Sequence, residues 1–371
     1  MRRRKLSLTR TIGLLLHLAA GSRTSSQNAA CVRLFEELEI LGKTPTARSS
    51  ITEARQKVPW QALEHLLHKA VVDEPSWFGH NAYAVDGSYV RMPKSAEIMR
   101  NFPMRTTGEF YPSCRLFCAF HISTLQPVQA DVSSVFKSEH DQLRNILNRF
   151  KSGDVLVLDR GFHSLKLWKE ITDHNLNFIC RIRQGSLAQR AGRSKDCILK
   201  VGNQKLRVVR LKKLFVITNF IDPKHTREEL LKLYKKRWVA ETQFRQLKQN
   251  LNLQKFHAKT MNGIMQEIFA SLLIASLTTL VAFKTAPSKI INHSLVIDIV
   301  SRHLKVFISG SKKAIQAFLR IAPKLIEFAQ KPRPGRAFPR FSKQPENKWI
   351  KARRTNNHVA KGHWRHSDRY R

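Results

Sequence analysis

The spacing of apolar residues changes several times along this chain, and each change predicts a different kind of element. Up to about residue 75 they recur at helical intervals. There SSITEARQKVPWQALEHLLHKA has the form of a capping box, with Ser50 as N-cap and Glu53 three positions later. From Trp77 the pattern shortens to AYAVDGSYVRMP, CRLFCAFHIS and PVQADVSSV, which predict neighbouring antiparallel strands joined by turns. EHDQLRNILNRF returns to helical spacing at Leu143, Ile146, Leu147 and Phe150, and DVLVLDRGF follows as a strand apolar enough to be buried on both faces. HSLKLWKEITDH predicts another helix and NFICRIR another strand. The order three strands, helix, strand, helix, strand implies a mixed α/β sheet, because a helix must carry the chain across to a parallel neighbour.

Beyond this core, residues 184–222 turn basic and β-like, with KLRVVRLKKLFVITNF as the clearest part, and read as an insertion bearing a few strands. TREELLKLYKKRWVAETQFRQLKQN is expected to be one helix opened by a second capping box, Thr226 with Glu229. IFASLLIASLTTLVAF, residues 268–283, falls just short of the about 20 residues that cross a bilayer and carries Ser271, Ser276, Thr278 and Thr279, so a buried core helix is expected. Helical spacing continues to about residue 330, and the rest, rich in Arg, Lys, Pro and Asn, reads as a flexible tail. The expected division is a helical domain at 1–75, a mixed α/β domain at 76–285 containing the 184–222 insertion, a helical region at 286–330 and a basic tail at 331–371.

Charge narrows the function. Sixty-six Lys and Arg against 27 Asp and Glu leave a formal charge of +39 over 371 residues, which calls for a polyanionic partner. The positive charge is spread along the chain among aromatics, so nucleic acid fits better than a membrane surface. Five scattered cysteines without a C-x-x-C pair point to buried thiols, with neither a disulfide framework nor a zinc site. The basic start RRRKLSLTRTIGLLLHLAAG imitates an export signal, yet its apolar run is short and broken by His17, and export would part the protein from nucleic acid.

Three carboxylates are candidates for chemistry. Asp86 lies in VDGSY at the end of an alternating strand, where an Asp-Gly pair also serves as a hairpin turn. Asp159 follows VLVL, at the carboxyl end of a buried strand where ligands collect in open sheets; the plainer alternative is a loop Asp capping nearby amides. Glu241 could simply pair with Arg237 or Arg245 at helical spacing. On a helical wheel, however, Tyr234, Arg237, Glu241, Phe244 and Lys248 share an arc of roughly 80°, placing an aromatic, two cations and a carboxylate in one stripe. Three carboxylates suit two divalent metals in phosphodiester chemistry, with the cations holding neighbouring phosphates.

With Y-x2-R-x3-E-x6-K matched at Tyr234, Arg237, Glu241 and Lys248, the sequence resembles the DDE transposases of bacterial insertion sequences, of the insertion-sequence-four type. The resemblance runs from the N-terminal basic helices through AVDGS and LVLDRGF to the region past Lys248. It implies an α/β fold with a ribonuclease-H-like core, a β-strand insertion, an N-terminal helical DNA-binding domain and a helical C-terminal region. Asp86, Asp159 and Glu241 would be the catalytic metal ligands, for Mg²⁺ with Mn²⁺ as substitute. Tyr234, Arg237 and Lys248 would contact double-stranded DNA at the terminal inverted repeats. The resemblance also implies strand transfer into target DNA by a homodimer, with no membrane and a cytoplasmic, nucleoid-associated location. Relatives that form hairpins stack a flipped base on a Trp in the insertion, and residues 184–222 contain none. Trp238, beside Arg237, is the substitute, unless it packs in the core. The competing classes are an inactive DNA-binding repressor and another two-metal nuclease. A glycosidase with paired carboxylates does not fit the charge.

Overall fold

A computed structural model describes residues 6–20, 26–37, 47–104, 109–183, 185–285 and 292–326. The basic tail expected at 331–371 lies outside the described residues.

Four helices open the chain: α1 (Leu8–Ala20), α2 (Gln27–Glu37), α3 (Arg48–Gln56) and α4 (Gln61–Ala70). The capping box expected at Ser50 is absent. Helix α3 starts three residues earlier, with Ala47 as an N-cap that makes no side-chain bond, so Ser50 lies inside the first turn. Then come β1 (Ala82–Arg91), α5 (Ala96–Asn101), β2 (Ser113–His121), β3 (Pro127–Ser134), α6 (Glu139–Ile146), β4 (Val155–Leu158), α7 (Leu165–Asp173) and β5 (Asn177–Ile182). A short α8 (Ser186–Ala191) leads into β6 (Asp196–Val201), β7 (Gln204–Leu211) and β8 (Leu214–Thr218).

These strands form a single eight-stranded sheet in the order β3-β2-β1-β4-β5-β8-β7-β6. β1, β4 and β5 are parallel neighbours, and the other pairings are antiparallel. β6, β7 and β8 therefore extend the main sheet, because β8 pairs directly with β5. The Asp86–Gly87 pair is not a turn. β1 runs straight through it, with Asp86 opposite Cys118, so Asp86 sits mid-strand and not at a strand end.

The sheet has two apolar faces. Ala82, Ala84, Val155 and Val157 face one side, which the later helices cover, while Val85, Leu156 and Leu158 join Phe162 and Trp168 on the side of α6 and α7. Burial of both faces is why these strands read as continuous apolar runs.

The chain from Thr226 makes two helices instead of the single one expected, α9 (Arg227–Lys235) and α10 (Trp238–Gln249). Arg237 N donates to Tyr234 O and Val239 N donates to Lys236 O, both at 3.0 Å. These three-residue links tighten the junction between the two helices. The Thr226–Glu229 capping box is formed.

α11 (Met261–Thr285) is long and apolar enough to cross a membrane, but 72% of its apolar window is buried. It packs against α1, α4, α12 (His293–Arg302) and α14 (Lys312–Ile326), with α13 (Leu304–Ile308) alongside α1. Its apolarity serves a helical core. The first helices are fastened to it by a buried ion pair, Arg55 Nη2 to Glu267 Oε1 at 2.8 Å, with Trp60 stacked on Phe269. Cys31, Cys114, Cys118 and Cys180 are buried free thiols, and Cys197 is half-buried.

Candidate active site

Strand register brings the two aspartates together. Ala82, Tyr83 and Ala84 pair in parallel with Val155, Leu156 and Val157. Continuing that register by two residues sets Asp86 level with Asp159, on strands about 4.8 Å apart. Asp86 shares the face of Ala84, toward α10, because side chains alternate along a strand. Its Oδ1 accepts from the N–H of Gly87 at 2.9 Å. Asp159 closes the turn after β4, its Oδ1 accepting from Gly161 N at 2.6 Å.

Burial pushes the Asp86 carboxyl up to about 6; the charges of Glu139 and Asp159 add to the rise, while Gly87 and Arg237 oppose it. Glu139 is also raised, first by burial and then by Asp159 against the pull of Arg115. Sequence reasoning missed Glu139. It opens α6 behind the N-cap Ser138, and an acid in the first turn of a helix usually signals only its favourable place near the positive helix end. Nothing in the spacing separates the two roles.

α10 lies over β1 and β2, seated by Phe244 against Phe120 with ring centroids 5.2 Å apart. Glu241, in its first turn, accepts from Arg237 Nη2 at 2.6 Å. Arg237 also acts on Asp86, so one guanidinium is shared by the charges of Glu241 and Asp86. Tyr234 is buried with its hydroxyl beside Arg237. Trp238 is 61% exposed, which rules out core packing, and its ring lies under the Arg237 guanidinium at 5.6 Å. Lys248, further along α10, sits near enough to Cys114 on β2 to act on its thiol.

The structure thus brings Asp86, Asp159 and Glu139 into one electrostatic group and ties Glu241 to the Arg237 that also acts on Asp86. Among the described residues, no three His, Cys, Asp or Glu side chains converge closely enough to hold a metal ion. The donor chemistry nonetheless fits a divalent cation, since mutual repulsion among half-buried carboxylates is what such a charge relieves.

A profile of the transposase DDE domain family matches residues 77–277, more than half of the chain. The chain is 22% identical, over 406 aligned positions, to the transposase InsG for insertion sequence element IS4 of Escherichia coli (strain K12), spanning 97% of this chain and 90% of that protein. It is 23% identical over 147 positions to the putative transposase InsZ of the same organism, covering 37% of this chain and 49% of that one. Among solved structures, a piggyBac transposase synaptic complex with hairpin DNA matches with a TM-score of 0.47 at 10% identity, over 91% of this chain and 81% of that one. The matched span runs from just before β1 into α11 and holds every strand of the sheet, Asp86, Asp159 and the intact Tyr234–Arg237–Glu241–Lys248 signature: this chain belongs to the transposase DDE domain family, as a member of the IS4 type.

Proposed function

We propose that this transposase moves an insertion sequence by a cut-and-paste route, cleaving phosphodiester bonds at the element's ends and joining the free ends to target DNA. The observation that carries this reading is the register that sets Asp86 level with Asp159 beneath the Arg237–Glu241 pair of α10. The strand order and the placement of an aspartate on β1, another after β4 and a glutamate on a late helix support a ribonuclease-H-like core.

Asp86, Asp159 and Glu241 would hold the divalent cations, Mg²⁺ or Mn²⁺. Bound there, two such ions lower the pKa of an attacking water or 3′-hydroxyl and stabilise the departing oxygen. Arg237 has a second task. A DNA phosphate competes for its guanidinium, and once Arg237 turns to the phosphate, the Glu241 carboxylate is released to join the aspartates. Lys248 contacts the same strand further along, and Trp238 offers an exposed ring for an unstacked base. The helices before residue 75 help recognise the terminal inverted repeats, and two copies of the chain act together on two ends.

The test is incubation of the purified protein with linear DNA carrying its gene's own flanks, in Mg²⁺ or EDTA, beside Glu241→Gln, with breaks mapped at nucleotide resolution. Metal-dependent nicks at the element boundaries, absent in the variant, are expected. Tight salt-sensitive binding with no cleavage in either metal would sink the catalytic reading in favour of a repressor, in which the Arg237–Glu241 pair stays closed.

A further inference from the structure

The turn that carries Asp159 is fastened at three points. At its start, the buried Cys180 thiol of β5 donates to Asp159 O at 3.2 Å. In its middle, Asp159 Oδ1 accepts from Gly161 N at 2.6 Å. A Cβ added at Gly161 would lie 2.9 Å from that oxygen, so the carboxylate rests against the glycine. On its far side, His140 of α6 bonds through Nε2 to Gly161 O at 2.8 Å. A carbonyl oxygen only accepts, so Nε2 carries the proton in this bond.

His140 is itself held in place. Its ring stacks on Phe162, with centroids 5.7 Å and planes 23° apart, and Phe162 is fully buried beside Phe117 of β2 at 6.1 Å. The imidazole therefore reaches the turn from an anchor in the core. Asp159 lies past the end of β4, so no strand ladder aims its carboxylate, and its direction depends on the Gly161 N–H. That N–H and the carbonyl that His140 grips belong to one residue, the glycine, which is the freest in the turn to rotate. A histidine placed only to pack on Phe162 has no need of a donor at that oxygen.

We infer that His140 is a positioning residue for strand cleavage: by fixing the Gly161 backbone it fixes the direction of the Asp159 carboxylate. This rests on the reading above in which Asp159 acts in cleavage. The role requires no contact with DNA or with a reacting atom, and it requires the donor of the imidazole more than its ring. Groups that orient a functional side chain from behind are worth about 10- to 100-fold in activity, so loss of this donor is read in the rate of cleavage.

The test compares the full chain with His140→Phe, which keeps a ring on Phe162 and removes the donor, and with His140→Gln, whose amide N–H can reach the same carbonyl. In nicking assays on linear DNA carrying the gene's own flanks, His140→Phe should lower kcat by about 10-fold or more with KM for DNA unchanged, and His140→Gln should restore most of it. A second readout uses neither metal nor DNA. Arg160–Gly161 is the one Arg-Gly step in the sequence, so carbonyl-¹³C arginine combined with ¹⁵N glycine isolates the Gly161 amide by NMR. In EDTA that signal should move in His140→Phe and return in His140→Gln. Wild-type kcat with an unmoved signal in His140→Phe would overturn the inference; equal losses in the two variants would also overturn it, because the donor would then not matter. Asp159→Asn separates this from the reading beneath it. If it abolishes cleavage while His140→Phe cleaves at the wild-type rate, the positioning role alone fails; if it cleaves like wild type, the catalytic role of Asp159 falls and the inference with it.

Discussion

Arg237 and Glu241 face each other one helical turn apart with 2.6 Å between Nη2 and Oε1, and the same guanidinium acts on Asp86 across the gap to β1. A cation so placed offsets negative charge at the site and occupies the Glu241 oxygen that a metal would need. Arg237→Ala should therefore raise the affinity for Mn²⁺ in the absence of DNA and lower cleavage of end DNA. Calorimetry and a nicking assay read the two effects separately, and a fall in both would contradict the blocking role. Glu241→Gln should lower cleavage by at least about 100-fold, as loss of a group acting in the transition state does, with DNA affinity little changed.

Asp86 makes a pH prediction for the metal-free chain. Its carboxyl is raised to about 6 in the fold, chiefly by burial, against about 3.9 when unfolded. The folded chain thus binds the extra proton between those values, and this contribution to stability is complete below about 4 and lost as pH rises through 6. In EDTA at pH 7, Asp86→Asn should be more stable than wild type by on the order of 1 kcal/mol, a difference that closes as pH falls toward 4. Urea denaturation at the two pH values measures it; an Asn variant that is less stable at pH 7 would contradict the buried charge.

Gly87→Ala tests the contact with Glu139. The atom in the way is the tip of a flexible side chain, so the fold should lose no more than about 1 kcal/mol. The midpoint of urea denaturation checks this, and a loss of several kcal/mol would show that the Glu139 side chain cannot move aside.

Lys248→Ala should weaken binding to end DNA about equally for all sequences and shrink the slope of log K against log salt by about one, the mark of one lost phosphate contact. Filter binding across a salt series checks this, and an unchanged slope would remove Lys248 from the DNA interface.

The Arg55–Glu267 pair makes a prediction about the fold. Although burial by itself would raise the Glu267 carboxyl, bonds from His257 together with Arg55 hold it below the usual carboxylate range. Its stabilisation is present at neutral pH and is lost as pH falls through that lowered value. Arg55→Met strands a buried carboxylate and should cost about 3–5 kcal/mol, seen as a lower urea midpoint at pH 7.

Local chemistry made much of this molecule legible in advance. Period-two and helical runs located β1 to β5, α6 and α7 because both faces of the sheet are buried and the runs are nearly continuous, whereas the short α5 and α8 carry no such signal. Thr226 with Glu229 marked the start of α9 because a capping box is satisfied within four residues. The spacing of Tyr234, Arg237, Glu241 and Lys248 carried the family. Ser50 misled because a capping box needs a backbone that departs from helix at that residue, and here the helix had already begun at Arg48. What the tertiary structure alone decided are relations between residues distant in sequence. Asp86 and Asp159 stand level because two strands separated by two antiparallel strands and the helices α5 and α6 pair in one register. Glu139 meets Gly87 because α6 packs on the opposite face of the same sheet. Trp238 is exposed and Tyr234 buried because the chain tightens at Lys236 and Arg237, which no 100° wheel foresees. Sequence determines which groups are available and the local geometry each prefers; pairing register and helix packing determine which of them meet.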